Sequence, residues 1–182
     1  MTRLMLAGLA IAFIFLALVA HAEPPLAGWK VINGQWTAKG KGVVGHNGYL
    51  VNEQGTWRNF RLTAQIRIIE WGEGAAGLRL RSSAPGKKDD CYRLLLRQDQ
   101  RVTFDKILKG DWIQLHSMNT ALPTGKWFKI GFAAKGGRVQ VSFDGKTVFT
   151  HTDAQPITQG AVVLWVQQSR VEFRDIKIKA ME

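Results

Sequence analysis

Phe60-Arg61-Leu62-Thr63-Ala64-Gln65-Ile66-Arg67-Ile68, residues 60–68, alternates apolar and polar side chains without a break. A period of two puts Phe60, Leu62, Ala64, Ile66 and Ile68 on one face of an extended strand and the polar residues on the other. The same reading extends along the chain. Val139, Val141 and Phe143 alternate with Gln140 and Ser142, and Asp144-Gly145 then turns the chain into Thr147 to Thr150. Phe128, Ile130 and Phe132 repeat the pattern ahead of a Gly136-Gly137 turn, and Leu78 and Leu80 alternate with Gly77, Arg79 and Arg81. Val162, Leu164 and Val166 precede Val171 and Phe173, and the shifted parity of Ile176 and Ile178 predicts a bulge near Asp175. Short Gly-, Asn-, Asp- and Pro-rich breaks separate the runs, among them Asn33-Gly34, Asn47-Gly48 and Lys109-Gly110. No apolar run holds helical spacing over three turns. Many short strands at this spacing predict an all-β sandwich or barrel.

The first 22 residues differ in kind. Arg3 is followed by an uncharged apolar stretch from Leu4 to Val19 and by Ala20-His21-Ala22, the pattern of a secretory signal and its cleavage site. An uncleaved anchor is the alternative, because the stretch approaches the roughly 20 residues that span a bilayer. The expectation is a signal peptide over 1–22, a single domain over 23–182, and a periplasmic or secreted location with no membrane span after cleavage. The lone cysteine, Cys91, cannot form an internal disulfide and is expected to be a buried apolar residue. With 25 Lys+Arg against 14 Asp+Glu, the chain carries a formal net charge of +11. Such a chain is drawn to anionic polysaccharide, phosphate-bearing glycolipid or nucleic acid. Nucleic acid is not expected, because an exported domain seldom meets it and the basic residues do not form one stripe.

Several motifs stand in a recognisable order: Trp29-Lys30-Val31 with Asn33-Gly34-Gln35-Trp36, Trp57-Arg58-Asn59-Phe60, Gly77-Leu78-Arg79-Leu80-Arg81, Cys91-Tyr92-Arg93-Leu94, Gly125-Lys126-Trp127, Gly160-Ala161-Val162 and Val171-Glu172-Phe173-Arg174-Asp175-Ile176. Together they resemble the concanavalin A-like superfamily, and within it the 3-keto-disaccharide hydrolase-like domain, over almost all of residues 26–180. The resemblance implies a two-sheet antiparallel jelly-roll sandwich with a concave face that receives sugars. It also implies that some relatives cleave 3-keto-glycosides while others are lectin-like, a choice that fold does not make.

Strand parity nominates a site. It groups Arg79 and Arg81, then Arg93 on a neighbouring strand, Trp165 and Gln167 on another, and Glu172 and Arg174 on the last. Guanidinium forks suit carboxylate or sulfate, and an indole face stacks on a pyranose ring. The expected ligand-binding residues are therefore Arg79, Arg81, Arg93, Trp165, Gln167 and Arg174. The alternative is a solvated sheet face covered by arginine stems. In the hydrolase-like relatives the strand matching Tyr92 to Leu96 carries Tyr-Glu-x-Gln, and that matching Leu164 to Gln167 carries a Gln and then a His. Here Arg93, Leu95, Trp165 and Gln167 stand there.

On this reading the protein is a non-catalytic, lectin-like monomer for an anionic polysaccharide or glycolipid. A divergent glycoside hydrolase is the alternative, with Glu70, Glu73 or Glu172 as its carboxylate. No catalytic or metal-binding residue is assigned: His46, His116 and His151 lack ligand spacing. No cofactor is expected beyond a structural calcium ion, for which Asp153 and Asp175 are possible ligands. Of the seven tryptophans, Trp29, Trp36 and Trp127 are expected in the core or at its edge. Trp57, Trp71 and Trp112 are expected on a binding rim, and Trp165 is expected to stack on sugar.

Overall fold

The computed structural model describes residues 27–182 apart from 87 and 88; the expected signal peptide lies outside them. Among the described residues there are eleven strands and no helix. They are β1 (Trp29–Lys39), β2 (Gly42–Asn52), β3 (Phe60–Glu70), β4 (Ala75–Ser82), β5 (Cys91–Arg97), β6 (Arg101–Leu108), β7 (Asp111–Asn119), β8 (Trp127–Lys135), β9 (Arg138–Phe143), β10 (Lys146–Thr152) and β11 (Ala161–Ala180). All pairings are antiparallel, in the order β10-β9-β8-β3-β11-β4-β5-β6-β7, with the β1–β2 hairpin attached to β11 through β2.

The path folds into two layers at β11. Its first part, Ala161 to Val166, pairs with β4, whereas Arg170 to Ala180 pairs with β3. Between them the register with β2 slips from Val166 to Arg170, and Gln168 takes a left-handed backbone (φ 47°). Strands β4–β7 thus form one sheet and β3, β8, β9 and β10 the other, with β2 and β11 crossing both.

The layers meet through the apolar parity of every strand. Phe60, Leu62, Ala64, Ile66 and Ile68 are all at most 1% exposed. Phe104 of β6 meets Phe132 of β8 at 5.9 Å and Phe149 of β10 at 5.3 Å, so the aromatic residues join one sheet to the other. This is the antiparallel jelly-roll sandwich that the family resemblance implies, within the sandwich-or-barrel class that the alternation predicts.

Turn chemistry follows the sequence closely. Asp144 and Gly145 (φ 48° and 81°) and Lys109 and Gly110 (φ 53° and 91°) make tight hairpins, and Asp175 (φ 52°) marks the predicted bulge. Asn33-Gly34 and Asn47-Gly48 differ: they lie within β1 and β2, as irregularities facing one another. Their backbones approach so closely that a Cβ on Gly34 would lie 2.4 Å from the Asn47 carbonyl oxygen, and one on Gly48 2.2 Å from that of Asn33.

Candidate functional site

The outer face of the β4–β7 sheet carries two adjacent cross-strand rows. Tyr49, Trp165, Gly77, Leu95 and Thr103 stand opposite one another in turn, and beside them run Val163, Arg79, Arg93 and Asp105. Two hollows open on this face. One, of about 420 Å3, is lined by Glu73, Arg93, Arg97, Trp112, Trp165 and Gln167 among others. The second, of about 380 Å3, adjoins it through Arg93, Trp165 and Gln167 and reaches Tyr49 and Arg79. Of the six residues expected from sequence, Arg79, Arg93, Trp165 and Gln167 come together here.

Their side chains are held in place. Arg79 donates from Nη1 to Asp89 Oδ1 (2.5 Å) and from Nη2 to the Tyr49 hydroxyl (3.0 Å), and its guanidinium lies 4.8 Å from the Tyr49 ring and 5.5 Å from that of Trp165. The other Asp89 oxygen accepts from the Ser82 hydroxyl. Arg93 donates to Asp105 Oδ2 (3.2 Å) and lies 5.6 Å from the Trp112 ring. Burial pushes the Asp105 carboxyl above the ordinary carboxylate range, against the pull of the Arg93 charge and of hydrogen bonds from Trp112 and Thr103. Asp105 Oδ1 and the Nε groups of Arg79 and Arg93 are buried without a hydrogen-bond partner, and Arg97 Nε lies 3.5 Å from Asp99 Oδ2. Each guanidinium of this face is thus paired with a carboxylate, Arg79 with Asp89, Arg93 with Asp105 and Arg97 with Asp99, and those of Arg79 and Arg93 also lie beside aromatic rings.

Two expected members lie elsewhere. Arg81 adopts a left-handed backbone (φ 53°) where the β4–β11 register slips, which breaks the parity that placed it beside Arg79. It is wholly buried and donates to the carbonyls of Arg58, Gly136 (2.9 Å) and Ile157 (2.6 Å). Desolvation lowers its pKa, and its role is to hold loops. Arg174 lies past the β11 register slip and so belongs to the opposite sheet. There it donates to Gln65 Oε1 (2.8 and 3.2 Å) and stacks 3.7 Å from the Trp127 ring.

The tryptophans also sort differently. Trp57 and Trp71 pack against the core rather than forming a rim, as do Trp29 and Trp36. Trp127 faces outward on β8, between the Arg67 and Arg174 guanidiniums, because its neighbour Phe128 takes the inward position. Trp165 is only 7% exposed, whereas Trp112 is 57% exposed and presents the freer ring. Tyr49, Arg97 and Asp105 were not singled out from sequence. Arg97 shares the parity of Arg93 and was within reach of that reading; Tyr49 and Asp105 needed the pairing of β2 with β11 and of β5 with β6.

The model of the 3-keto-alpha-glucoside-1,2-lyase-like domain matches residues 23–179. The chain belongs to that family. No curated protein matches it. Among solved structures, this lyase-like domain is similar to the carbohydrate-binding module CBM66 from Bacillus subtilis, at 22% identity and a TM-score of 0.75, over 84% of this chain and 96% of that one. It is similar also to a Bacillus subtilis protein of unknown function with a galectin-like fold (13%, TM-score 0.69, 84% and 89%) and to the Caenorhabditis elegans galectin LEC-6 (14%, TM-score 0.58, 85% and 98%). At these identities the likeness is one of fold.

In this lyase-like domain the candidate carboxylates are dispersed. Glu73 lines the larger hollow beside Arg97. Glu70 lines a separate cavity of about 420 Å3 with His46 and Arg170. Glu172 is buried on the opposite sheet, paired with Arg67 and with Lys39 (3.6 Å). Asp153, a possible calcium ligand from sequence, lies 2.7 Å from Lys106 Nζ and accepts from the Tyr92 hydroxyl (2.6 Å). Asp175 lies 3.6 Å from Arg174. No group of three metal-ligating side chains occurs among the described residues.

Proposed function

We propose that this domain is an exported, monomeric, non-catalytic glycan-binding protein that takes an anionic sugar in the Arg93–Arg97–Trp112 hollow without a metal ion. The observation that carries this reading is the placement of two guanidiniums and a 57% exposed indole around one cleft of about 420 Å3. A carboxylate or sulfate would accept from Arg93 and Arg97, which line the cleft, while the sugar ring lies against Trp112. Asp105 acts as a positioning residue by fixing the Arg93 fork. Gln167 at the cleft wall offers an amide to ring hydroxyls.

The experiment is a glycan array read at low and high salt. The expected result is binding to uronate- or sulfate-bearing glycans that weakens with salt, is lost in Arg93→Gln and is weakened about fivefold in Trp112→Ala, the latter with unchanged thermal stability. Equal binding to neutral glycans, or full binding by both variants, would refute the assignment.

A second reading is a divergent lyase or hydrolase acting on 3-keto-glycosides. It is favoured by the family description and by Glu73 and the protonation-prone Asp105 lying on the same face. Incubation with a 3-keto-glycoside, with and without divalent metal, separates the readings. Turnover that Glu73→Gln abolishes supports the enzyme; no turnover in either condition supports the binding protein.

A further inference from the structure

The outer face of the opposite sheet carries a second concentration of positive charge. Register places Lys179 of β11 directly opposite Arg61 of β3, and Lys177 opposite Thr63. Lys129 of β8 lies opposite Gln65 on the same face. All four basic side chains are exposed, and among the described residues none of them is in an ion pair. Of the carboxylates along β11, Glu172 is buried and already paired with Arg67 and Lys39, and Asp175 lies 3.6 Å from Arg174. Like charges directly across a strand pair repel, so the Lys179–Arg61 pair raises the energy of the free protein. An anion seated between them would relieve that repulsion.

Beside the Lys179–Arg61 pair, on the side towards β8, β9 and β10, the surface is a groove rather than a plane. About 250 Å3 of space is bordered by Arg61 and Lys129 and lined by Thr63, Gln140, Ser142 and Thr147. Its floor is low because β8 places Gly131 and Ala133 there; a Cβ on Gly131 would lie 2.3 Å from the Ser142 hydroxyl oxygen. Hydroxyl and amide groups along a furrow match the hydroxyls of a saccharide. A membrane surface would instead favour protruding apolar residues, and the exposed large hydrophobics, Val31, Ile32, Trp112 and Ile113, lie on other strands.

We infer that this groove is a second binding site, for a linear acidic polysaccharide, on the side of the sandwich away from the Arg93 hollow. The domain would then hold two polyanion chains at once, or two stretches of one chain wrapped around it. The inference is independent of the Arg93 site and holds whether that site binds or catalyses.

The test uses polygalacturonate as probe and a parent variant, Arg93→Gln with Arg97→Gln, in which the first hollow is silenced. Residual, salt-sensitive binding is expected in this parent. Adding Arg61→Gln, Lys129→Gln and Lys179→Gln should weaken it about tenfold or more, as expected for three charges near an anionic surface. The thermal midpoint should stay level or rise, because the like-charge pair is gone. Absence of residual binding in the parent, or its survival after the three substitutions, overturns the inference. Tighter association with anionic phospholipid vesicles than with polygalacturonate would assign the face to a membrane surface and overturn it too, whereas dextran should not bind.

Discussion

Arg81→Ala should destroy stability rather than recognition. Arg81 is the largest wholly buried side chain, and its guanidinium makes four donations to three carbonyl oxygens, with no acid among its hydrogen-bond partners. Those carbonyls belong to Arg58 before β3, to Gly136 in the β8–β9 turn and to Ile157 in the β10–β11 loop, so one side chain ties three loops together. Each buried carbonyl left unpaired costs roughly 1–3 kcal/mol, a gross loss of about 3–9 kcal/mol. Relief of the buried charge returns part of this, and a net loss of about 4 kcal/mol is a reasonable centre. For a domain of this size that lowers the thermal midpoint by about 10 °C. Arg81→Lys should recover only part of the loss, since one ammonium cannot span three separated carbonyls with a guanidinium's fork. Urea unfolding of the wild type and both variants measures this directly. A shift below about 0.5 kcal/mol, the range of ordinary surface substitutions, would refute the reasoning. So would a stable Arg81→Ala protein that has lost glycan binding, because that would restore Arg81 to the site.

Other outcomes follow from the same geometry. Trp112→Ala should weaken glycan binding about fivefold, near the worth of one aromatic stack, without moving the urea midpoint. Lys106→Met should cost about 3–5 kcal/mol by urea unfolding, because it strands the Asp153 carboxylate beside Tyr92. The Cys91 thiol is pushed up to about 12, by burial first and by Asp89 next, so it should resist iodoacetamide in the native protein and react once unfolded. Its raised pKa also has a sign. The unfolded thiol ionises near pH 8.5 while the folded one stays neutral, so its share of stability is whole below about pH 8.5. That share should be lost progressively as pH rises towards 12, and Cys91→Ala should flatten this part of the alkaline unfolding curve.

The strands were legible wherever one face is buried and the other wet. Residues 60–68 read correctly because every second side chain is in the core. The site was legible to the same depth and no further. Arg79, Arg93, Trp165 and Gln167 keep strict parity with core neighbours, so alternation alone puts them on one face. Arg81 and Arg174 do not, because each lies beyond a register slip, and a slip of one residue turns every later side chain over. The Asp175 bulge announced itself through shifted parity, but the slip around Gln168 fell within a polar stretch, Gln167 to Arg170, that has no apolar period to shift. Trp127, expected in the core or at its edge, faces outward because its neighbour Phe128 fills the inward position.

The strand that joins the two layers also sets the order in which the molecule can be built. Residues 161–180 pair with β2, β3 and β4, yet they leave the ribosome after all ten other strands. Neither layer can complete its centre until they arrive, since β3 and β4 meet only through this strand. Contacts of such long sequence separation close slowly. A nascent chain lacking them has two incomplete sheets with unpaired central edges. Arrival of the last strand is thus the single step that closes both layers.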